Sequence, residues 1–394
     1  MRRSVTPVLV VATAALAFTV AACGGDSESS GGGGAAAGNE PIKVGIAVDQ
    51  TGLYSFAGVP SKQGAQLAAD EINRAGGING RKLELIDGDA ASEQQQTKTL
   101  MTKYAADQSV MAVLGPSSSA IAPSIGPVVN ALKMPAIGPT VSSPVYTDDN
   151  DWTFKMGANP DGVGVKLCDV VKQAGLKRVG IMVTRDNVGQ VGYKDTAVKC
   201  LPGAGAEVVT VQQASDATDD YSSFISNIKS KNPDAIFTLL SGQRSAQFEV
   251  QARQAGIPAT IGFFGPNTVT GADFMKIGKA DVEGTVGVTE YFPGTETETN
   301  KKFVAAYTEK YNTVPDNYAA QGYASMQLLA AGIRSAGENV TRESIRDGML
   351  KVADADTVMG GGKLSISPTH VSEYELQLVQ VKGGKLVAYE GPST

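Results

Sequence analysis

The sequence has 394 residues, 34 Lys and Arg against 40 Asp and Glu, a formal net charge of −6 and one histidine, His370. An acidic chain without basic clusters is a poor match for nucleic acid or anionic lipid headgroups. A lone histidine argues against a zinc enzyme or a His-based triad, and leaves little for general acid–base chemistry near neutral pH.

In chain order, Arg2 and Arg3 precede an apolar run from Val8 to Val20 that ends in Val20-Ala21-Ala22-Cys23. Basic residues, an uncharged core and small residues before a cut make 1–22 a secretory signal peptide. The core is too short to span a membrane as a stable helix, and no later stretch reaches the ~18 apolar residues a span needs. A cysteine directly after two alanines resembles the bacterial lipobox. That resemblance implies that Cys23 is acylated and becomes the new N-terminus; the plainer alternative is a leader with an incidental cysteine. Residues 23–40 are almost entirely Gly, Ala, Ser and acidic. They cannot bury enough apolar surface to offset ordering, so a disordered tether is expected, with a reach of roughly 20–25 Å. The folded part should work outside the cytoplasm, held to the cell membrane by its lipid alone.

From Pro41 the chain is long enough for two domains, and it alternates strand and helix. Lys43–Val48 is β-rich. Lys62–Ala75 carries Ala65, Ala68, Ala69 and Ile72 at helical spacing and stops at Gly76-Gly77. Asn79-Gly80 turns into a strand at Leu83–Asp87, and Ser92 can cap a helix to about Gln108. Met111–Leu114, Ser119–Leu132 and Pro135–Gly138 continue the pattern as strand, helix and strand. The pattern then restarts. Val179–Val183 echoes Val44–Val48, Glu207–Val211 echoes Leu83–Asp87, Ala235–Leu240 echoes Met111–Gly115, and Pro258–Gly262 echoes Pro135–Gly138. Four echoes in one order predict an α/β protein of two similar lobes, each with a parallel sheet covered by helices. A strand at Val286–Glu290, helices over Lys301–Tyr311, Asn317–Ala336 and Arg342–Lys351, and a β-rich end follow. This order suggests lobe 1 over 41–155 and 284–355, and lobe 2 over 156–283 and 356–394.

Cys168 and Cys200 fall late in two helices that flank Val179–Val183. In an oxidising compartment an even pair is a candidate disulfide, with two buried free thiols as the alternative.

Ile42–Gly52 (IKVGIAVDQTG), Gly64–Gly80 (GAQLAADEINRAGGING), Val113–Ser119 (VLGPSSS), Pro135–Pro144 (PAIGPTVSSP), Gln251–Gly256 (QARQAG) and Tyr318–Leu329 resemble the solute-binding proteins for branched-chain amino acids and related ligands. The resemblance covers essentially all of 41–394. It implies the type I periplasmic binding protein fold: two Rossmann-like lobes joined by three crossovers, closing on a small solute. It also implies partners, an ABC permease with its ATPase subunits, and a monomer without cofactor, metal or catalytic residues.

Gly115–Ser119 lies beyond the carboxyl end of a strand and opens a helix, where backbone N–H groups and the dipole favour an anion. Thr140–Ser143 sits at the next strand end. By resemblance, Ser117 and Ser142, with Ser118 beside them, bind a carboxylate, and the Val141 carbonyl accepts from an ammonium. Asn267 stands where family members that bind amino acids carry a Glu. Val188 stands where they carry an aromatic. A family aromatic near Ala57 is replaced here, with Phe56 and Tyr54 close by, and Tyr318 and Tyr323 are wall candidates. A neutral amide cannot compensate a desolvated ammonium as a carboxylate does. Either the solute is an aromatic or aliphatic carboxylate or an amide, or another acid, such as Asp186 or Glu290, supplies the ammonium partner. Trp152 and Phe154 suit a core; Asp87 and Asp89 suit helix caps or the interlobe surface. A sensory subunit presenting solute to a membrane receptor is the second functional reading, and an extracellular hydrolase a distant third.

Overall fold

The computed structural model describes residues 40–391; the leader, Cys23 and nearly all of the tether lie outside the described residues. The first sheet contains β1 (Ile42–Ile46), β2 (Leu83–Ile86), β3 (Val110–Leu114), β4 (Ala136–Gly138) and β5 (Thr153–Lys155) in the order β2-β1-β3-β4-β5, all parallel. Its inner strands β1, β3 and β4 are mostly apolar runs rather than alternating ones, because helices cover both faces. Ile42, Val44, Ile46, Ala47 and Val48 are all at most 1% exposed.

α1 (Ser55–Arg74), α2 (Gln94–Ala106) and α3 (Ala122–Leu132) belong to this lobe. α9 (Glu298–Tyr311), α10 (Asn317–Ser335) and α11 (Arg342–Met349) rejoin it late in the chain. α1 and α10 meet at backbone distance. A Cβ on Gly64 would stand 1.9 Å from the Ala319 carbonyl oxygen, and one on Gly322 would stand 1.9 Å from that of Ser61. Only glycine allows this approach.

The second sheet contains β6 (Arg178–Thr184), β7 (Glu207–Ala214), β8 (Ala235–Leu239), β9 (Gly262–Gly265) and β10 (Val286–Thr289). A short three-stranded sheet follows, β11 (Ala355–Asp356), β12 (Lys363–Ile366) and β13 (Ser372–Glu373). β14 (Gln377–Lys382) and β15 (Lys385–Ala388) then complete the second sheet in the order β15-β14-β10-β9-β8-β6-β7. β14 and β15 are antiparallel, a return hairpin through Gly383-Gly384. α4 (Pro160–Gln173), α5 (Val188–Cys200), α6 (Ser222–Ser230), α7 (Gln243–Gln254) and α8 (Ala272–Gly278) cover it. Cys168 of α4 and Cys200 of α5 form a disulfide, with Cα atoms 6.2 Å apart. No helix among the described residues is long and apolar enough to cross a membrane.

Two lobe boundaries differ from the sequence expectation. β10 belongs to the second sheet, where Val286 pairs with Phe264 of β9 and with Gln380 of β14. The second crossover therefore starts near Glu290, not at 284. Val358, Met359, Leu364 and Ile366 pack into the core of lobe 1, so the chain returns to lobe 2 near Leu376, not at 356. A short apolar strand carries no mark of which sheet it will join; its non-local partners decide that.

Candidate functional site

The strand ends of the two sheets face each other. Loops after β1, β3 and β4 supply one wall, loops after β6, β8 and β9 the other, and the first turns of α1 and α10 close the side. They enclose a cavity of about 40 Å³ lined by Ser117, Ser118, Ser119, Thr140 and Ser142 on one wall. Asn187, Gln190, Tyr193, Ser241, Asn267 and Thr268 line the other, and Tyr54, Phe56 and Tyr318 the side.

On the lobe 1 wall the hydroxyls are occupied. The Ser117 Oγ donates to Asp49 Oδ2 at 2.6 Å and accepts from the Asp49 N–H at 2.9 Å. Burial pushes the Asp49 carboxyl above its usual range, opposed by hydrogen bonds from Ser117 and the Ser92 N–H. The Ser119 Oγ accepts from the Ser142 N–H at 3.0 Å and lies 3.3 Å from the Ser142 Oγ. Thr140 donates its hydroxyl to the Ser117 carbonyl. Beneath them Lys155, fully buried, donates to the Ser142 carbonyl at 3.1 Å and to Asn159 Oδ1 at 2.6 Å. Burial lowers its ammonium to about 8. The backbone N–H groups of Ser117, Ser118 and Ser119 find no acceptor among the described residues, and they lead into α3. Such a set of donors favours an anion or a carbonyl oxygen.

The lobe 2 wall is built of amides. Asn187 caps α5, its Oδ1 accepting from the Gly189 and Gln190 N–H groups at 3.0 and 3.3 Å, and its Nδ2 donates to Ser241 Oγ at 3.3 Å. Gln190 is 5% exposed and its Oε1 has no partner among the described residues. Asn267 Nδ2 donates to Glu290 Oε1 at 3.2 Å. Among the described residues no Asp, Glu, Lys or Arg side chain lines the cavity.

The lobes touch across the cleft. The Tyr54 hydroxyl donates to Asp216 Oδ2 at 2.6 Å. Phe56 packs edge-on against Tyr318 at 5.6 Å and presses on Gly242, where a Cβ would stand 2.4 Å from its ring. A larger open groove of about 280 Å³ lies on the outer side of these aromatics.

Ser117, Ser118, Ser142, Asn267, Tyr318 and Phe56, all expected from the sequence, come together in this cavity. The Ser117 hydroxyl, expected to bind solute, is spent on Asp49. Val188 does not line the cavity: it is the first residue of α5 and 38% exposed, so the helix turns it outward. Val141 is fully buried in the lobe 1 core, and its carbonyl faces Gly157, 2.5 Å from where a Cβ there would stand. It does not reach the cleft. Tyr323 is also displaced, donating to Glu71 and packing on Phe303 in the core. Asp186 is exposed beside Arg185, while Glu290 lies directly behind Asn267. Asn187, Gln190, Tyr193 and Ser241 were not anticipated, although the strand-end rule that found Ser117 applies equally after β6 and β8.

Residues 41–385 match the profile described as "Periplasmic binding protein". The chain belongs to this family. It is 26% identical over 353 residues to the Leu/Ile/Val-binding protein BraC3 of Rhizobium johnstonii, covering 89% of this chain and 94% of that one. It is also 26% identical over 347 residues to an amino acid binding protein of Pseudomonas aeruginosa, covering 85% and 90%. The substrate-binding protein LivJ of Streptococcus pneumoniae, solved in complex with isoleucine, superposes with a TM-score of 0.80 at 25% identity, over 90% of this chain and 100% of LivJ. A solute-binding protein of R. palustris in complex with benzoate gives 0.80 at 23% identity, over 89% and 96%. The fold is therefore that of type I periplasmic binding proteins, a family of extracytoplasmic solute-binding receptors.

Proposed function

We propose that this protein is a lipid-anchored extracytoplasmic receptor that closes its two lobes on a small carboxylate or amide solute and delivers it to the permease of an ABC importer. The observation that carries this reading is the pairing of walls: the unfilled backbone N–H donors at Ser117–Ser119 and the amide side chains of Gln190 and Asn267 line opposite sides of one cavity. Donors in lobe 1 suit the solute's carboxylate or carbonyl oxygen. The relatives named for Leu/Ile/Val and the benzoate complex span this solute range, and a wall without ionised side chains suits its less polar members. Cys23, cleaved and acylated, would supply the anchor. Two acyl chains hold stably where one is marginal.

A thermal-shift screen of amino acids, aromatic acids and amides, followed by calorimetry, tests the solute reading; no shift with any of them would overturn it. Fractionation tests the anchor: Cys23→Ser should move the protein to the soluble fraction, and retention on the membrane would overturn that part.

A further inference from the structure

Glu290 is 1% exposed and stands one layer behind the cleft, at the start of the second crossover. Its Oε1 accepts from Asn267 Nδ2 at 3.2 Å and from the Ala158 N–H, in the first crossover, at 3.3 Å. Its backbone carbonyl accepts from the Gly360 N–H, in the lobe 1 stretch that precedes the last crossover, at 2.7 Å. Among the described residues its Oε2 has no well-formed partner, although the Asn317 amide stands close enough to favour the charged form. The phenols of Tyr193, Tyr318 and Tyr374 are the titratable groups that feel it, and no cation is among them. Burial raises its carboxyl above the usual range. Protonated on Oε2 or ionised, Oε1 remains an acceptor.

We infer that Glu290 is a specificity-determining positioning residue: it holds Asn267 by the amide nitrogen, so that Asn267 Oδ1 faces the solute and the lobe 2 end of the solute must carry an N–H donor. An Asn amide can ordinarily point either way, and its hydrogen-bond network decides. Here the network offers only an acceptor behind it, Glu290 Oε1, held by the Ala158 N–H of the first crossover. The partnerless Gln190 Oε1 lines the same wall and adds a second acceptor. The solute is thus dipolar, with oxygen toward Ser117–Ser119 and N–H toward Asn267. This rests on the cleft being the solute site, as proposed above.

The test is a calorimetric comparison of matched pairs on the full mature protein: L-leucine against 4-methylpentanoate, and glutaramate against glutarate. The first pair supplies the N–H as ammonium, the second as amide. The parent should favour the N–H member of at least one pair by roughly ten- to a hundredfold, the usual loss when a buried polar group goes unpaired. Glu290→Leu removes the acceptor behind Asn267, leaves the amide free to reverse, and should cut that preference at least tenfold. Adding Asn267→Asp to Glu290→Leu restores an acceptor toward the cleft and should restore the preference, which a merely structural role for Glu290 would not do. If Glu290→Leu does not fold, Asn267→Ser in the parent carries the test, because it removes the carbonyl and should lose the preference. Equal binding within both pairs, or an undiminished preference in the variant, overturns the inference while leaving the cleft reading standing. Binding of none of the four overturns the cleft reading and this inference with it.

Discussion

The two walls of the cleft solve one problem differently. In lobe 1 the side chains bind each other: Ser117 to Asp49, Ser119 to Ser142, Thr140 to the Ser117 carbonyl. What remains for a solute is backbone. In lobe 2 the side chains themselves remain available, with Gln190 Oε1 open and Asn267 anchored only through its nitrogen. A wall made of backbone is preorganised and chemically fixed, whereas one made of amides can be altered without disturbing the fold. Lobe 1 should therefore supply the common recognition and lobe 2 the choice of solute.

The lobes also differ in what holds them. Lobe 2 alone carries a disulfide, between residues 32 apart in sequence. The chain-entropy account gives a loop of this size about 4 kcal/mol. Replacing both cysteines by serine should lower the stability of lobe 2 by that order, read as an early phase in urea unfolding. A single unshifted transition would show that the lobes do not differ in this way.

Glu249 gives lobe 2 a pH dependence of the next size. It is fully buried on α7, accepts from the Thr285 hydroxyl at 2.7 Å, and burial raises its carboxyl to about 8. A raised carboxyl favours the folded state fully below its unfolded value of 4.5 and loses that contribution as pH rises through about 8. Urea melts between pH 5 and 8.5 should show a fall of a few kcal/mol that Glu249→Gln flattens. A parallel slope in the variant would refute the assignment.

Asp49→Ala strips the lobe 1 wall of the partner of Ser117 and should cost about 2–3 kcal/mol of stability as well as solute affinity. Gln190→Ala should reduce affinity about tenfold at an unchanged melting temperature. If the two variants show the same pattern, the contrast between the walls is wrong. The smallest effect is expected for Tyr54→Phe, which removes the bond to Asp216 and should weaken binding about three- to tenfold by destabilising closure. Calorimetry reads it directly.

Much of this was legible in the sequence because it is local. The doubled βα pattern, the strand ends and their serines each follow from a few neighbouring residues. What escaped depends on distant partners or on helix phase. Ser117 and Asp49 are 68 residues apart, and nothing near Ser117 shows that its hydroxyl is taken. Asn187, Gln190 and Tyr193 recur every three residues on the cleft face of α5, which leaves Val188 on another face. β10 looked like the start of lobe 1 because its place in the second sheet is fixed only by β9 and the late strand β14.

The close contact of α1 with α10 has a kinetic consequence. Phe56 rides on the first turn of one helix and Tyr318 on the first turn of the other, and the glycine contacts at Gly64 and Gly322 join the two helices into one body. The two rings over the cavity therefore travel with lobe 1, and their contact with Gly242 parts when lobe 1 swings away from lobe 2. Solute entry and escape then share one slow step, a domain motion on the microsecond-to-millisecond scale. Association should consequently fall below the diffusion limit for small molecules, and release should be timed by the lobes rather than by the strength of any single contact.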